Sequence, residues 1–373
     1  MSCLHNLTFF DIYEKNSLYK GSASAIHYKD KETSYSDLFL QTGKFATGLK
    51  SLDLPQGSRI AVLCKNHPVF FHLFGAASAL NLVLVLINRR LRPDEVSHII
   101  EDTEPLVIFS DKEMAGQAEN LVQSFSCLKH SYVVDEKDTL FSNLYNNLQL
   151  KASLPCKAKD PFAIIHTAAM QGKPRGAVLS QENIILANLQ IINSYGLDHT
   201  KVYLNILPLF HIMGINLGLG ILQAGGKNII EEKFHPQKTL QRIQELKVTL
   251  FGSFPPILTN LIDAMEDGDF DLSSLDIATG LEVPETAKRW ESCTDSKFWT
   301  MYGQTETSGL VTFAEYFAKK GSAGRISPLA NIRIADDFDR LLTANETGEI
   351  LVRGPLVFQG YWNAHDLNER TFK

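Results

Sequence analysis

Short apolar, β-branched runs alternate with longer amphipathic segments through most of the chain, and that rhythm restricts it to helix-covered, largely parallel sheet. The first half reads as strand at 59–64, helix at 67–80 with Pro68 in its first turn, strand at 83–87 and helix from Pro93 to about 102. Strand at 106–109, helix at 114–125 and strand at 131–134 complete it. The pattern then restarts with strand at 162–166 and helix at 180–195, with Ser180 as its N-cap. Strands at 202–207, 227–230, 248–251, 275–279 and 298–301 follow, with helices at 212–222 and 236–246 between them. The expected architecture is α/β: two stacked subdomains with mostly parallel sheets, at 1–155 and 156–318, and a small antiparallel β unit at 319–373. In that last part short strands at 331–335 and 349–352 are separated by the turn-rich Asp336-Asp337 and Thr347-Gly348.

At 373 residues the chain can bury large cores, and 44% apolar with 21% charged residues is the balance of a globular protein. Lys and Arg number 36 against 42 Asp and Glu, and no basic block offsets the formal charge of -6, so nucleic acid is not the expected partner. The cysteines (Cys3, Cys64, Cys127, Cys156, Cys293) are scattered without CxxC spacing and read as free thiols. The opening MSCLHNLTFFDIYEK has Asp11 and Glu14 within its apolar run and no basic flank, so a signal peptide is not expected. The apolar stretch 73–87 is interrupted by Ser78 and Asn81 and is too short to span a bilayer. A cytoplasmic protein is expected.

Four segments can carry chemistry. In FWTMYGQTETSG, 298–309, a strand runs into Gly303 and a polar loop; strand ends in open α/β sheets are where ligands bind. Thr305 and Thr307 can donate to phosphoryl oxygens, Glu306 can hold Mg²⁺, and Tyr302 can stack on a base, although a solvated strand exit gives the same pattern. In ILPLFHIMGINLG, 206–218, His211 among Phe210, Ile212 and Met213 reads either as a core histidine or as a pocket residue. The glycines Gly214, Gly218 and Gly220 there mark close packing or room for a ligand. A strand ending at Gly280 puts Gly280, Leu281 and Glu282 on the same side, before a helix near Pro284. Finally, 161–180 reads PFAIIHTAAMQGKPRGAVLS, a strand, a Gly/Pro turn and a helix start. It is not a Walker A loop, but Lys173 and Arg175 bring positive charge to a turn whose amides can bind phosphate.

Taken together these segments resemble the adenylate-forming enzymes: acyl-CoA synthetases, aryl-CoA ligases, firefly luciferase and adenylation domains. Tyr302-Gly303-Gln304-Thr305-Glu306 matches their YGxTE-like motif, and Pro208 to Gly214 their PLFHxxG segment. Gly348-Glu349 through Arg353-Gly354-Pro355 to Gly360-Tyr361-Trp362 matches GExxxRGPxxxxGYW. The phosphate-loop motif TSGTTGxPKG falls on 167–176, and 57–66 is similar to a further family segment, so the resemblance extends over nearly the whole chain. It implies an N-terminal large domain that uses ATP, Mg²⁺ and coenzyme A, or another thiol acceptor, to convert a carboxylic acid, fatty or other, through acyl-AMP into a thioester. It also implies that Thr305 contacts phosphate, Glu306 holds Mg²⁺, Tyr302 and the Gly280-Leu281-Glu282 turn border adenine, and His211 borders the acyl group. Thr167, Gln171, Gly172, Lys173, Arg175 and Gly303 fall on its nucleotide-binding positions. A homo-oligomer is left open.

Two departures stand out. Ala168, Ala169, Met170 and Gln171 replace the family's Ser-Gly-Thr-Thr run, and Arg175 replaces its lysine; one lost charge-assisted donor costs roughly 1.5 to 3 kcal/mol. The sequence also stops before the family's TGD motif, hinge and mobile C-terminal domain, so it is expected to be the N-terminal portion of a longer ligase. His211 stands where amino-acid-activating domains usually place aspartate, which favours an acyl or aryl acid. The altered loop keeps open a non-catalytic binding protein and a transferase that uses preformed acyl-AMP.

Overall fold

In the computed structural model, which describes residues 7–145, 148–167, 174–266 and 268–372, the chain begins with a helix and a β-hairpin. These are α1 (Phe9–Lys20), β1 (Ser24–Tyr28) and β2 (Lys31–Ser34), followed by α2 (Tyr35–Lys50). Regular alternation follows: β3 (Arg59–Leu63), α3 (Val69–Leu80), β4 (Val83–Leu86), α4 (Pro93–Thr103), β5 (Val107–Ser110), α5 (Ala115–Ser124), β6 (His130–Val133) and the short α6 (Thr139–Asn143). The hairpin β7 (Pro161–Thr167) and β8 (Arg175–Ser180) leads into α7 (Gln181–Tyr195), β9 (Val202–Asn205), α8 (Ile212–Ala224) and β10 (Lys227–Ile230). Next come α9 (Pro236–Leu246), β11 (Leu250–Ser253), α10 (Ile257–Met265), β12 (Ile277–Gly280), α11 (Pro284–Cys293) and β13 (Lys297–Gln304). A single 3₁₀ turn at Thr305–Thr307 joins β13 to β14 (Gly309–Glu315), and β15 (Arg325–Ile326), β16 (Asn331–Ala335), β17 (Glu349–Arg353) and α12 (His365–Thr371) complete the fold.

The strands form a nine-stranded sheet, ordered β15-β14-β13-β12-β11-β9-β10-β1-β2, a six-stranded sheet, β6-β5-β3-β4-β7-β8, and the antiparallel pair β16-β17. Both large sheets are parallel at their centres and antiparallel only towards their edges. Alternate residues of one strand therefore face different layers. Ile60 and Val62 of β3 point into the core shared with α1, α2, α3, α7 and α8, while Ala61 and Leu63 point at α4 and α5. Leu204, Phe251, Ala278 and Phe298 of the other sheet pack on α9, α10 and α11, around the fully buried Trp290. The helices between the sheets are apolar on all sides, as a middle layer requires: α3 and α8 bury nearly every residue.

Local signals explain the best-defined ends. Ser180 accepts from the Asn183 N–H at 3.1 Å while Asn183 Oδ1 accepts from the Ser180 N–H at 3.0 Å, a reciprocal cap that starts α7. Thr8 and Asp11 cap α1 in the same way. Gly214 serves close packing, since a Cβ there would lie 2.2 Å from the Pro208 carbonyl oxygen.

Strand pairing runs across the expected division at 155/156. The early strands β1 and β2 belong to the nine-stranded sheet through β10, with Ile26 opposite Asn228, and β7 and β8 belong to the six-stranded sheet through β4, with Leu84 opposite Ala163. The apolar pattern defines each strand but carries no information about its distant partner. Among the described residues no helix is long and apolar enough to cross a membrane.

Candidate active site

The β13–β14 hairpin builds the most polar wall of the site. A Cβ on Gly303 would lie 2.0 Å from the Gly309 carbonyl oxygen, so only glycine lets the two strands approach here. Thr307 Oγ1 accepts from the Gln304 N–H at 3.1 Å and donates to the Gly309 carbonyl at 2.8 Å, fixing the turn from inside. Asn216 of α8 donates to the Ser308 carbonyl at 2.6 Å, and Ser308 holds the left-handed conformation that closes the turn. Thr307 is thus spent on structure, leaving Thr305 and Glu306 to line a cavity of about 1140 Å³.

Three other elements bring their residues to the same cavity. Thr167 ends β7 directly opposite Arg175, the first residue of β8. His211 precedes α8 as its N-cap, with Nδ1 accepting from the Met213 N–H at 3.4 Å, which leaves Nε2 to carry the ring proton. The ring shows surface to the cavity, yet the protein packed around it holds the imidazole below the ordinary histidine range, so it is neutral at neutral pH. Leu281 follows β12, whose end is drawn tight against β11: a Cβ on Gly280 would sit 1.6 Å from the Ser253 carbonyl oxygen. Tyr302 and Gly303 line it as well, and Ile212, Met213, Phe254, Met301 and Leu310 supply an apolar end.

Gly280 and Glu282 do not line the cavity. Gly280 permits the strand approach, and Glu282 turns back to the start of α11, its carboxylate accepting from the Val283 N–H at 3.0 Å. Ala168, Ala169, Met170, Gln171, Gly172 and Lys173 lie outside the described residues.

Tyr361 is the residue that the sequence quoted within a motif but gave no role. It lines the cavity, and its hydroxyl donates to Glu306 Oε1 at 2.7 Å. Burial first, and the Glu306 carboxylate second, push the phenol well above the usual tyrosine range, so it stays a donor. A second cavity of about 750 Å³ shares His211 and Phe254 with the first and carries Lys65, Arg89, Arg90 and Lys233.

The chain matches the family model for AMP-binding enzymes over residues 13–362. It belongs to the AMP-binding enzyme family. An indoleacetate–CoA ligase of Aromatoleum aromaticum is 30% identical over 353 residues, which cover 91% of this chain and 69% of that protein. A candidate long-chain-fatty-acid CoA ligase of Rhodopseudomonas palustris has a solved structure that superposes with a TM-score of 0.93 at 34% identity, covering 99% of this chain and 94% of that one. The N-terminal domain of FACL13 from Mycobacterium tuberculosis shares the fold, with a TM-score of 0.92 at 22% identity over 98% of this chain and 94% of that one. The AMP-binding fold and the acid–thiol ligase superfamily, which works through adenylation, are thereby established for this chain.

Proposed function

We propose that this AMP-binding protein supplies the nucleotide- and acid-binding surfaces of a ligase that converts a fatty or aromatic carboxylic acid, through acyl-AMP, into a coenzyme A thioester. The carrying observation is the convergence of Thr167, Arg175, His211, Tyr302, Thr305 and Glu306 on one cavity, from elements distributed over both large sheets. A carboxylate is a poor electrophile. Attack of its oxygen on the α-phosphorus of ATP expels pyrophosphate and leaves an acyl carbon bearing AMP as leaving group; attack by a thiol sulfur then forms the thioester and releases AMP.

In this reading the Arg175 guanidinium and the Thr167 and Thr305 hydroxyls meet phosphoryl oxygens, and Tyr302 and Leu281 border the adenine. Neutral His211, with Ile212, Met213 and Leu310, borders the acyl group, and an apolar end of this kind suits a chain or ring better than a second carboxylate. The donors fit magnesium in the manner of nucleotide enzymes: Glu306 is a single carboxylate, to be completed by substrate phosphates, and no cluster of three or more His, Cys, Asp or Glu able to hold a metal occurs among the described residues. When bound, the ion would offset phosphate charge; Glu306 would hold it. The second cavity, meeting the first at His211 and Phe254, carries more cations than carboxylates, Lys65, Arg89, Arg90 and Lys233 beside Glu232, which suits an anionic thiol carrier such as coenzyme A.

The test is calorimetric titration of the protein with ATP and Mg²⁺, followed by acyl-AMP analogues carrying aliphatic and aromatic acids. Binding of both classes is expected, with Glu306→Gln losing the magnesium dependence; absence of binding by every nucleotide species defeats the reading. The alanines at 168–169 favour a second reading, nucleotide and acid binding without turnover. Binding without ATP–pyrophosphate exchange in the full-length protein would select it.

A further inference from the structure

The 355–362 segment crosses from one large sheet to the other. Its Gln359 N–H donates to the Val178 carbonyl at 2.9 Å, the Val178 N–H donates to Gly360 at 3.0 Å, and the Trp362 N–H donates to Gly176 at 2.8 Å, so it runs along β8 as an extra strand-like edge. On its other side the Phe358 N–H donates to the Glu306 carbonyl at 2.9 Å, and Ser308 Oγ donates to the Leu356 carbonyl at 2.6 Å. The segment therefore holds the turn of the nine-stranded sheet against the edge strand of the six-stranded sheet. Tyr361 is fixed within it. Its N–H donates to Asn368 Oδ1 at 2.7 Å, its carbonyl accepts from Asn368 Nδ2 at 2.9 Å, and its ring meets Phe358 edge-on at 4.8 Å between centroids.

We propose that Tyr361 is a positioning residue that orients the Glu306 carboxylate for cation capture, its hydroxyl engaging Oε1 and leaving Oε2 for the ion. The inference rests on the reading of Glu306 as the cation ligand. A glutamate on a turn has several rotamers, and a donor anchored through its own backbone selects one of them. This is the arrangement by which ligand carboxylates are commonly held. No other described side chain hydrogen-bonds the Glu306 carboxylate, so the phenol alone sets its orientation among the described residues.

The experiment compares wild type, Tyr361→Phe, Glu306→Gln and the double variant by the calorimetric affinity for ATP with and without Mn²⁺. The ratio of the two affinities reports the contribution of the metal and needs no turnover. Tyr361→Phe removes one oxygen and keeps the ring contact, so thermal unfolding should be unchanged. The expected result is a ratio reduced roughly 10-fold or more by Tyr361→Phe, metal-free ATP affinity unchanged, and a double variant no worse than Glu306→Gln alone. A normal ratio in Tyr361→Phe with a reduced one in Glu306→Gln overturns the positioning role while sparing the reading of Glu306. A normal ratio in Glu306→Gln overturns both.

Discussion

Replacing Gly303 by alanine tests whether the geometry of one turn governs the site. The added Cβ would lie 2.0 Å from the Gly309 carbonyl oxygen, 2.6 Å from its carbon and 2.7 Å from Leu310 Cα. All three are backbone atoms of the facing strand, so no side chain can swing aside. Real Cβ contacts rarely fall under 3.0 Å, and the hairpin must therefore open by about 1 Å, at a cost of about 1–3 kcal/mol for overpacking. The same opening displaces Thr305 and Glu306 relative to Arg175, which belongs to the other sheet. A displacement of about 1 Å in a catalytic array can cost on the order of 100-fold in rate, or about 2.7 kcal/mol of barrier. The assay is ATP–pyrophosphate exchange in the full-length protein, with the best acid from an aliphatic and aromatic panel, beside thermal unfolding of the same preparation. A large loss of exchange with a modest loss of stability is expected. Wild-type exchange and an unshifted melting curve would show that the hairpin absorbs the methyl group and that the close approach does not control the site.

Gly116→Ala is the matching opposite case: it lies in the first turn of α5, a Cβ there meets nothing within 4 Å, and urea unfolding should show a gain of about 0.5–1 kcal/mol. Glu232 predicts a pH dependence. Burial alone would raise its carboxyl, but hydrogen bonds from Lys65, Tyr28 and Lys29 lower it to about 2 from the ordinary 4.5. A depressed carboxyl stabilises the fold fully above its unfolded value and loses that effect as pH falls towards its folded value. Glu232→Gln should therefore cost about 1–2 kcal/mol at neutral pH, discounted for partial exposure, and the gap should close between pH 4.5 and about 2. A gap that stays constant down to about pH 3 in urea unfolding would remove Glu232 from this role.

Much of the layered fold was legible because buried parallel strands are short apolar runs and their crossover helices carry caps: Ser180, Pro93 and Pro236 all mark true helix starts. The hairpin partners were harder to see. Residues 175–179 look like part of a loop leading to a helix, yet they form β8, because Gly176 lets the strand pass close to His166 of β7. The stretch 309–315 has no turn signal beyond Ser308-Gly309, so its return alongside β13 was invisible. At the site, motif spacing pointed to Thr167, Arg175, His211, Tyr302, Thr305 and Glu306, which the structure brings to one cavity because strand ends share one side of an α/β sheet. It also pointed to Gly280 and Glu282, which do not line the cavity: Gly280 permits the close approach to Ser253, and Glu282 accepts from the Val283 N–H at the start of α11. It passed over Tyr361 because a tyrosine between glycine and tryptophan looks like packing, and its partner lies 55 positions earlier in the chain.

The entry of β1 into the nine-stranded sheet has a consequence for synthesis. Ile26 pairs with Asn228, so β1, beyond its hairpin partner β2, has no sheet to join until some two hundred further residues are made. At about 5–20 residues per second that is a wait on the order of 10–40 s. During it Ile26, fully enclosed in the finished protein, lacks the β10 strand that pairs with β1. The β1–β2 hairpin is thus joined to its sheet late in synthesis, although it contributes no residue to the cavity.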